Sequence, residues 1–428
     1  MFKKYLLLLI LILFCSFSLF AQDDNLTIKV VVAGPGNQLY FWWGHIALII
    51  ENSETEENFL YDYGVFNFND DNFYKNFVMG RLLYKCSRSR PEGSIRSYIR
   101  NNRSVVIYTL DLHHEEKEII KEFAEFNVLP ENRYYYYHHF KDNCSTRIRD
   151  IIDLGLAGQL KEKTINEESR FTLRQHVRRH TYFSPATDWF LNFLMGQVID
   201  TPITVWEDMF LPSEVGSQME NMIYTDKNGD RRNLVSSKEV VHTVKDRPPV
   251  LEKPRQQWVY EFIFSLLLAA IFYLFFYLQN KNLSGKFRWV SVTGKALAGI
   301  SMSLCGLIFG FASLVLYFLS IFTNHDYTYQ NFNMIFSTPL LLAAFPIGIM
   351  YAFVKKEKKL LKYNEVLRLI WLLCALGVFI SMIIKLLPWF FQDNLTDQML
   401  ILPIALVFAC NPVKLQETLK KYFPGTKK

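Results

Sequence analysis

A series of long apolar segments fills the second half of this 428-residue chain. Four of them cover residues 258–278, 296–322, 334–354 and 369–391, and a shorter fifth covers residues 399–412. An α-helix needs about 20 apolar residues to cross the hydrocarbon core of a bilayer, and the first four segments reach that length. The segments therefore predict an all-α membrane domain over residues 258–412.

Basic residues alternate between the connections that join these segments. The first and third connections are rich in Lys and Arg, as in "KKEKKLLKYNEVLR", and the tail over residues 413–428 is basic again. The second and fourth, "TNHDYTYQNFN" and "QDNLTDQ", contain neither. Because basic loops stay in the cytoplasm, the alternation predicts five spans, with a cytoplasmic tail and the preceding domain outside.

The N-terminus, "MFKKYLLLLILILFCSFSLFAQDD", has a basic start, an apolar stretch and Ala21 before a polar segment. This pattern predicts a cleaved export signal over residues 1–21, and an uncleaved first membrane helix is the alternative. Residues 22–244 then form a periplasmic soluble domain, joined by a proline-rich linker over 245–257 to a multi-pass domain in the inner membrane. The net charge of +6 lies in short segments, so no nucleic-acid partner is predicted.

Two cysteines, Cys86 and Cys144, lie in the predicted soluble domain. A disulfide is the ordinary expectation for such a pair in an oxidising compartment. The sequence around Cys144 favours a nucleophile instead. Apolar residues recur at helical spacing over 148–152, and Asp142 or Asn143 supplies a capping side chain. Cys144 thus lies in the first helical turn, where the positive end of the helix dipole stabilises a thiolate.

His45 is the candidate base for this thiol. It begins "HIALII", a predicted strand, and "NFLYDYGVF" is the predicted hairpin partner. If Ile50 pairs with Phe59, Asp62 lies diagonally across from His45 on the same face and orients the imidazole. The alternative is that Asp62 only shapes a turn. Gly44, directly before His45, allows a close approach of the backbone.

Six other histidines of the soluble domain compete with His45. They are His113, His114, His138, His139, His176 and His180. The first two are predicted to cap the helix "HHEEKEIIKEFAEF". One of the next two is predicted to point inward from the aromatic run "YYYYHHF". No spacing among these residues fits a zinc site, and we predict neither a metal nor a cofactor.

A strand that begins with His, followed about a hundred residues later by Cys at a helix N-terminus, resembles the circularly permuted papain-like enzymes of the NlpC/P60 and lecithin–retinol acyltransferase group. Five motifs carry a more specific resemblance: "FWWGHIAL", "YDYGVFNF", "GRLLY", "DNCSTRIRDII" and "TPITVWEDMFLP". Together with the membrane domain, they resemble the Lnb-type lipoprotein N-acyltransferase family of Bacteroidota.

The resemblance implies an α+β fold in which a permuted papain-like domain precedes a five-helix membrane domain. It also implies that Cys144 attacks an acyl ester of a membrane phospholipid, with His45 as the base. The acyl group of the resulting thioester then passes to the N-terminal amine of a diacylglyceryl lipoprotein. No third catalytic residue comes from the resemblance, so Asp62 rests on the hairpin register alone.

Four further residues are candidates for substrate binding: Arg147, Trp43, Tyr63 and His325. Arg147 has the charge and fork geometry to bind a phosphate head group, although a solvated helix face is the favoured alternative. His325 lies in an exterior loop between two predicted spans and would line a substrate entrance. The alternative is an ordinary aromatic loop at the membrane interface.

Two other functions fit the same sequence. The first is a cell-wall peptidase or amidase of the NlpC/P60 type, with the membrane domain as an anchor. The second is a non-catalytic envelope protein in which Cys144 pairs with Cys86. Five spans exceed what an anchor requires, which favours lipid substrates over cell-wall substrates.

Overall fold

The computed structural model describes residues 24–281 and 287–411. The predicted export signal over 1–21 and the basic tail over 413–428 lie outside the described residues. The described chain is α+β, with a sheet in its N-terminal region and helices in its C-terminal region, as predicted.

The chain divides into two compact units. The first unit holds the described residues up to Phe73, together with Arg81–Ser169 and Ile203–Arg247. The second unit holds Tyr74–Gly80, Arg170–Pro202 and the chain from Pro248 onward. Two segments upstream of the predicted linker are therefore part of the second unit.

A seven-stranded antiparallel sheet forms the first unit, in the order β6-β4-β3-β2-β1-β5-β9. Its strands are β1 Leu26–Ala33, β2 His45–Asn52, β3 Glu57–Val65, β4 Leu83–Ser89, β5 Val105–Leu110, β6 Tyr134–Tyr136 and β9 Val235–His242. Two short strands, β7 Ile223–Thr225 and β8 Arg231–Asn233, pair separately.

Helices cover both faces of this sheet. In chain order the first nine α-helices of the described residues are α1 Phe73–Val78, α2 Pro91–Arg100, α3 His114–Val128, α4 Cys144–Gly155, α5 Gln159–Thr164, α6 Leu173–Thr181, α7 Pro185–Leu194, α8 Val205–Asp208 and α9 Pro212–Asn221. Of these, α6, α7 and all of α1 after Phe73 belong to the second unit. Successive strand residues point to opposite faces, so each face has its own core. Ile148 of α4 and Ile120 of α3 are buried with Val30 of β1, whereas Tyr98 of α2 is buried with Val31 and Ala33 on the opposite face.

The predicted hairpin of β2 and β3 is confirmed. Ile50 pairs with Phe59, and the ladder continues to the pair of Ala47 and Asp62. One step of register would turn every side chain of the strand to the other face, so this pairing decides whether His45 and Asp62 share a face.

The second unit contains the long apolar helices of the described residues. They are α10 Trp258–Gln279, α11 Arg288–Phe322, α12 Ala344–Phe353, α13 Glu357–Ile384 and α14 Leu395–Ala409. By length and hydropathy, α10, α11 and α13 are able to cross a membrane. The segments predicted as the third and fifth spans are shorter apolar helices, Pro339–Phe353 and Leu395–Ala409. The count of five spans therefore stays a prediction.

Helices α6 and α7 are integral parts of this second unit. Phe193 and Leu194 of α7 are buried together with Ala312 and Leu316 of α11, and Trp189 packs against the same cluster. The aromatic face of α7 therefore packs on an apolar helix that follows it by more than a hundred residues in the chain.

Candidate active site

Asn143 fixes the N-terminus of α4, the helix that begins at Cys144. Its side-chain Oδ1 accepts hydrogen bonds from the backbone N–H groups of Ser145 and Thr146, at 2.8 and 3.0 Å. Its Nδ2 donates to the carbonyl oxygens of His139 and Phe210, at 2.7 and 2.9 Å. Every polar atom of this buried amide is thus engaged. The prediction that Cys144 lies in the first turn of a capped helix is confirmed, with Asn143 as the cap.

His45 stands at the first position of β2, where a glycine shapes the backbone before it. Gly44 has a φ of +85°, in the left-handed region that favours glycine. A Cβ at Gly44 would lie 3.0 Å from the carbonyl oxygen of Ala33, which is the residue paired with His45. The predicted close approach at Gly44 is therefore confirmed, and it lets the chain enter β2 beside the end of β1.

Cys144, His45 and Asp62 form a connected row. The Nε2 of His45 lies 2.6 Å from Oδ1 of Asp62. The imidazole and the thiol of Cys144 also interact electrostatically, and each shifts the pKa of the other. The side chains of His45 and Asp62 are 19% and 20% exposed, and Cys144 is 7% exposed. A nucleophile, a base and an orienting carboxylate in this order can carry out acyl transfer.

The electrostatics of the row favour an ion pair between thiolate and imidazolium. Burial raises the pKa of the Cys144 thiol, but the charge and hydrogen bond of His45 outweigh it and the pKa is lowered overall. Burial lowers the pKa of His45, and the negative charges of Asp62 and Cys144 outweigh it and raise that pKa to about 10. The row therefore favours the thiolate of Cys144 over the neutral thiol.

Tyr98 and Arg103 lie beside this row, and sequence analysis did not single them out. The ring of Tyr98 is centred 6.0 Å from the His45 ring. Arg103 is 1% exposed, and its guanidinium carbon lies 5.2 Å from the centre of the Tyr98 ring. In the sequence, Tyr98 belongs to an amphipathic helix and Arg103 to a basic surface-like segment, so neither gave a signal.

Three of the predicted substrate-binding residues lie in the first unit. Arg147 makes a two-bond ion pair with Asp142, at 2.5 and 2.7 Å, so its fork is already occupied. Tyr63 is 1% exposed and is buried in the same core as Cys86. Trp43 directly precedes Gly44, and its indole N–H is buried without a hydrogen-bond partner among the described residues. The buried hydroxyl of Tyr63 likewise has no hydrogen-bond partner among the described residues, so Trp43 and Tyr63 each have a donor left for a ligand.

His325, the fourth of these residues, lies in the second unit. It is 7% exposed. Its Nε2 lies 3.0 Å from the carbonyl oxygen of Phe77, and its Nδ1 lies 2.7 Å from the hydroxyl of Tyr327. Both ring nitrogens are thus engaged in joining two segments of that unit. Substrate binding by His325 stays a prediction.

The remaining cysteine and histidines have local roles. Cys86 and Cys144 are both free thiols. His113 is the N-cap of α3, as predicted, and Nδ1 of His138 accepts hydrogen bonds from the backbone N–H groups of Phe140 and Lys141. Within residues 24–281 and 287–411, no group of three His, Cys, Asp or Glu side chains is placed to hold a metal ion.

Residues 16–179 match the family model described as the Lnb N-terminal periplasmic domain. The matched range contains His45, Asp62, Arg103 and Cys144. No curated protein and no solved structure matches the chain. The family match supports an Lnb-type family. Together with three helices that are able to cross a membrane, it supports a membrane protein with a periplasmic domain.

Proposed function

We propose that this protein is a membrane-bound cysteine acyltransferase. It would move an acyl chain from a membrane phospholipid, through a thioester on Cys144, to the N-terminal amine of a diacylglyceryl lipoprotein. The observation that carries the proposal is the row of Cys144, His45 and Asp62 at the start of a capped helix, in a range that matches the Lnb periplasmic domain.

The first half-reaction uses the ion pair as it stands. The Cys144 thiolate attacks the carbonyl carbon of the phospholipid ester and forms a tetrahedral oxyanion. The cap on α4 uses the N–H groups of Ser145 and Thr146 and leaves the N–H of Cys144 itself for this oxyanion. The C–O bond then breaks, the imidazolium of His45 gives its proton to the leaving alkoxide, and a lysophospholipid departs.

In the second half-reaction His45 accepts a new proton, which comes from the attacking amine. The free amine of the lipoprotein attacks the thioester carbonyl, and neutral His45 takes a proton from the attacking nitrogen. The C–S bond breaks, the amide forms, and the site returns to thiolate and imidazolium. Asp62 keeps the imidazole oriented through both steps, since its carboxylate accepts the Nε2–H bond.

The membrane helices fit substrates that are both lipids. Moving an acyl chain out of a bilayer costs about 0.8 kcal/mol for each CH₂ group, so an enzyme for such chains gains by working at the membrane. We propose five spans in the inner membrane, with the catalytic domain in the periplasm and residues 413–428 in the cytoplasm. A reporter fused after Lys428 tests this arrangement: cytoplasmic activity supports it, and an exported reporter contradicts it.

The lipoproteins of a strain that lacks the gene provide the test of the activity. Mass spectrometry of their N-terminal lipopeptides should find free amines, and the wild-type gene should restore N-acylation. Complementation with Cys144→Ser should fail, whereas complementation with Cys86→Ser should succeed. Full N-acylation in the deletion strain, with no other enzyme for this step present, would refute the proposal.

A cell-wall peptidase or amidase would use the same three residues, so the same strains must also be compared for their peptidoglycan fragments. The acyltransferase proposal predicts an unchanged fragment profile. A changed profile together with normal lipoproteins would favour the peptidase.

A further inference from the structure

Arg103 is a buried cation without an acidic ion-pair partner in its hydrogen bonds. Its Nε donates to the carbonyl oxygen of Gly34 at 2.8 Å, and its Nη2 donates to that of Ala33 at 3.2 Å. Its guanidinium carbon lies 4.5 Å from the centre of the Phe41 ring and 5.2 Å from the centre of the Tyr98 ring. Among the described residues, no carboxylate forms an ion pair with it.

A charge in such a place needs compensation, because burial removes the water that would otherwise stabilise it. The negative groups whose fields act on Arg103 are the carboxylate of Asp62 and the thiolate of Cys144. Arg247, a cation that donates to Gly36 and Asn37 outside the row, acts on Arg103 with the opposite sign. Tyr98 stays neutral, since burial raises the pKa of its phenol well above the ordinary value. The compensation therefore comes from the candidate active site.

The charges of the site balance only when Arg103 is included. His45 and Arg103 contribute two positive charges, and Asp62 and Cys144 contribute two negative charges. Without Arg103, the imidazolium would face both a carboxylate and a thiolate, and the buried group would carry a net negative charge. Such a site would take up a proton, and the thiol is the acid that would hold it.

The other titratable groups around Cys144 do not change this balance. Tyr135 and Tyr137 face the sulfur from β6 and the turn after it, and burial raises the pKa of both phenols, so both are neutral. Arg147 of α4 is paired with Asp142, and this pair is neutral by itself.

We propose that Arg103 is a positioning residue that completes a charge-neutral quartet with His45, Asp62 and Cys144 and thereby keeps the nucleophile ionised. Its position supports a second effect. The carbonyl groups that it binds belong to Ala33 and Gly34, and Ala33 is the strand partner of His45. Arg103 thus holds its positive charge next to the strand residue that pairs with His45.

The test measures the pH dependence of iodoacetamide alkylation at Cys144 in the full-length protein, quantified on the peptide that contains Cys144. Arg103→Met should raise the pKa of the thiol by about one unit or more, so that alkylation near pH 6 slows about tenfold. Arg103→Lys keeps the charge and should lose less than about threefold at the same pH. Arg100→Met, which removes an exposed arginine at the end of α2, should leave the profile unchanged.

Two results would overturn the proposal. One is a folded Arg103→Met variant with the wild-type profile. The other is an equal shift of the Cys144 pKa in Arg103→Met and Arg103→Lys. That result would mean that the arginine acts only through its two hydrogen bonds to carbonyl groups, and not through its charge. If Arg103→Met does not fold, Arg103→Lys provides the test by itself. If Cys144 in that variant titrates like a free thiol, near pH 8.5, the proposal that the positive charge keeps the thiol ionised is contradicted. This readout needs no acyl transfer, so it stays separate from the proposed function.

Discussion

Each unit of this protein contains a fully buried arginine, and the two have different surroundings. In the second unit, Arg174 is 0% exposed. Its Nε and Nη2 bind the two carboxylate oxygens of Asp200 at 2.6 and 3.0 Å, and its other bonds go to Asn192, Met195 and Gly196. In the first unit, Arg103 is 1% exposed and binds two carbonyl groups.

The difference separates a structural charge from a functional one. Arg174 has a carboxylate partner and fixes the geometry of α6 against the turn at Asp200. Arg103 has its counter-charges in groups that would react with a substrate. Removing one partner of a buried ion pair destabilises the fold, because the other charge is left buried and unpaired. A buried cation whose counter-charge is a thiolate instead stabilises the ionised form of the cysteine. Mutations in the two regions should therefore affect different properties.

The largest expected effect is the loss of activity in Cys144→Ser. The hydroxyl of serine has a far higher pKa than a thiol, and neither His45 nor the helix N-terminus can recover that difference. We expect acyl transfer to fall by at least about a thousandfold while the melting temperature stays within a few degrees. Purified full-length enzyme with phospholipid and a diacylated lipopeptide gives the rate.

Cys86→Ser is the matched control for this variant. Burial raises the pKa of the Cys86 thiol to about 12, so this thiol stays neutral and unreactive. The rate should remain near that of the wild type. If Cys86→Ser lost as much activity as Cys144→Ser, both thiols would be needed for the structure, and Cys144 would not be shown to be the nucleophile.

His45→Ala should be the next most severe change. It removes the positive charge and the hydrogen bond that lower the pKa of Cys144, and burial then raises that pKa above the ordinary value of about 8.5. We expect activity to fall about 100-fold or more, and the double variant with Cys144→Ser to be hardly worse than Cys144→Ser alone. Additive losses would show that the two residues do not act as one unit.

Arg174→Met should change stability and leave the chemistry of the thiol intact. It would leave the Asp200 carboxylate, which is 4% exposed, without its cation. Breaking such a pair costs about 3–5 kcal/mol of unfolding free energy. Thermal unfolding in detergent measures the loss, with Arg170→Met, an exposed arginine four residues earlier, as the control. A shifted pH profile of Cys144 alkylation in Arg174→Met would contradict the distinction between the two arginines.

The smallest expected effect compares two helix caps. Asn143→Ala removes the cap of α4 and two further bonds to buried carbonyl groups, so we expect a loss of about 2 kcal/mol together with slower alkylation of Cys144. Thr172→Ala removes the cap of α6, where Oγ1 accepts from the N–H of Gln175, and should cost about 1 kcal/mol with no change at Cys144. Equal alkylation rates in the two variants would argue against a role for the α4 cap in ionising the thiol.

Sequence reasoning predicted the parts of this site that local patterns determine. The helical spacing after Cys144, the capping residue before it and the alternation in β2 and β3 are short-range signals. They were enough to predict the first-turn position of Cys144 and the pairing of Ile50 with Phe59. The diagonal placement of Asp62 followed from that register, and its 2.6 Å contact with His45 agrees with it.

Contacts between residues far apart in the chain could not be predicted from these short-range signals. Arg103 reaches the end of β1 from a position 69 residues later in the chain, and its sequence neighbours resemble an ordinary basic surface. The inclusion of residues 170–202 in the second unit depends on the burial of Phe193 against α11, more than a hundred residues away. No periodicity within either segment specifies its partner.

The pH profile of Cys144 alkylation in the wild-type protein tests the central claim most directly. The pKa of Cys144 is lowered, so the thiolate persists to lower pH than that of an ordinary thiol and is lost as the pH falls through that lowered value. The pKa of His45 is raised to about 10, so the imidazolium partner persists until the pH rises through that range. We predict an almost constant rate between about pH 7 and pH 9, whereas a rate that rises tenfold per pH unit toward about 8.5, as for an ordinary thiol, would contradict the account.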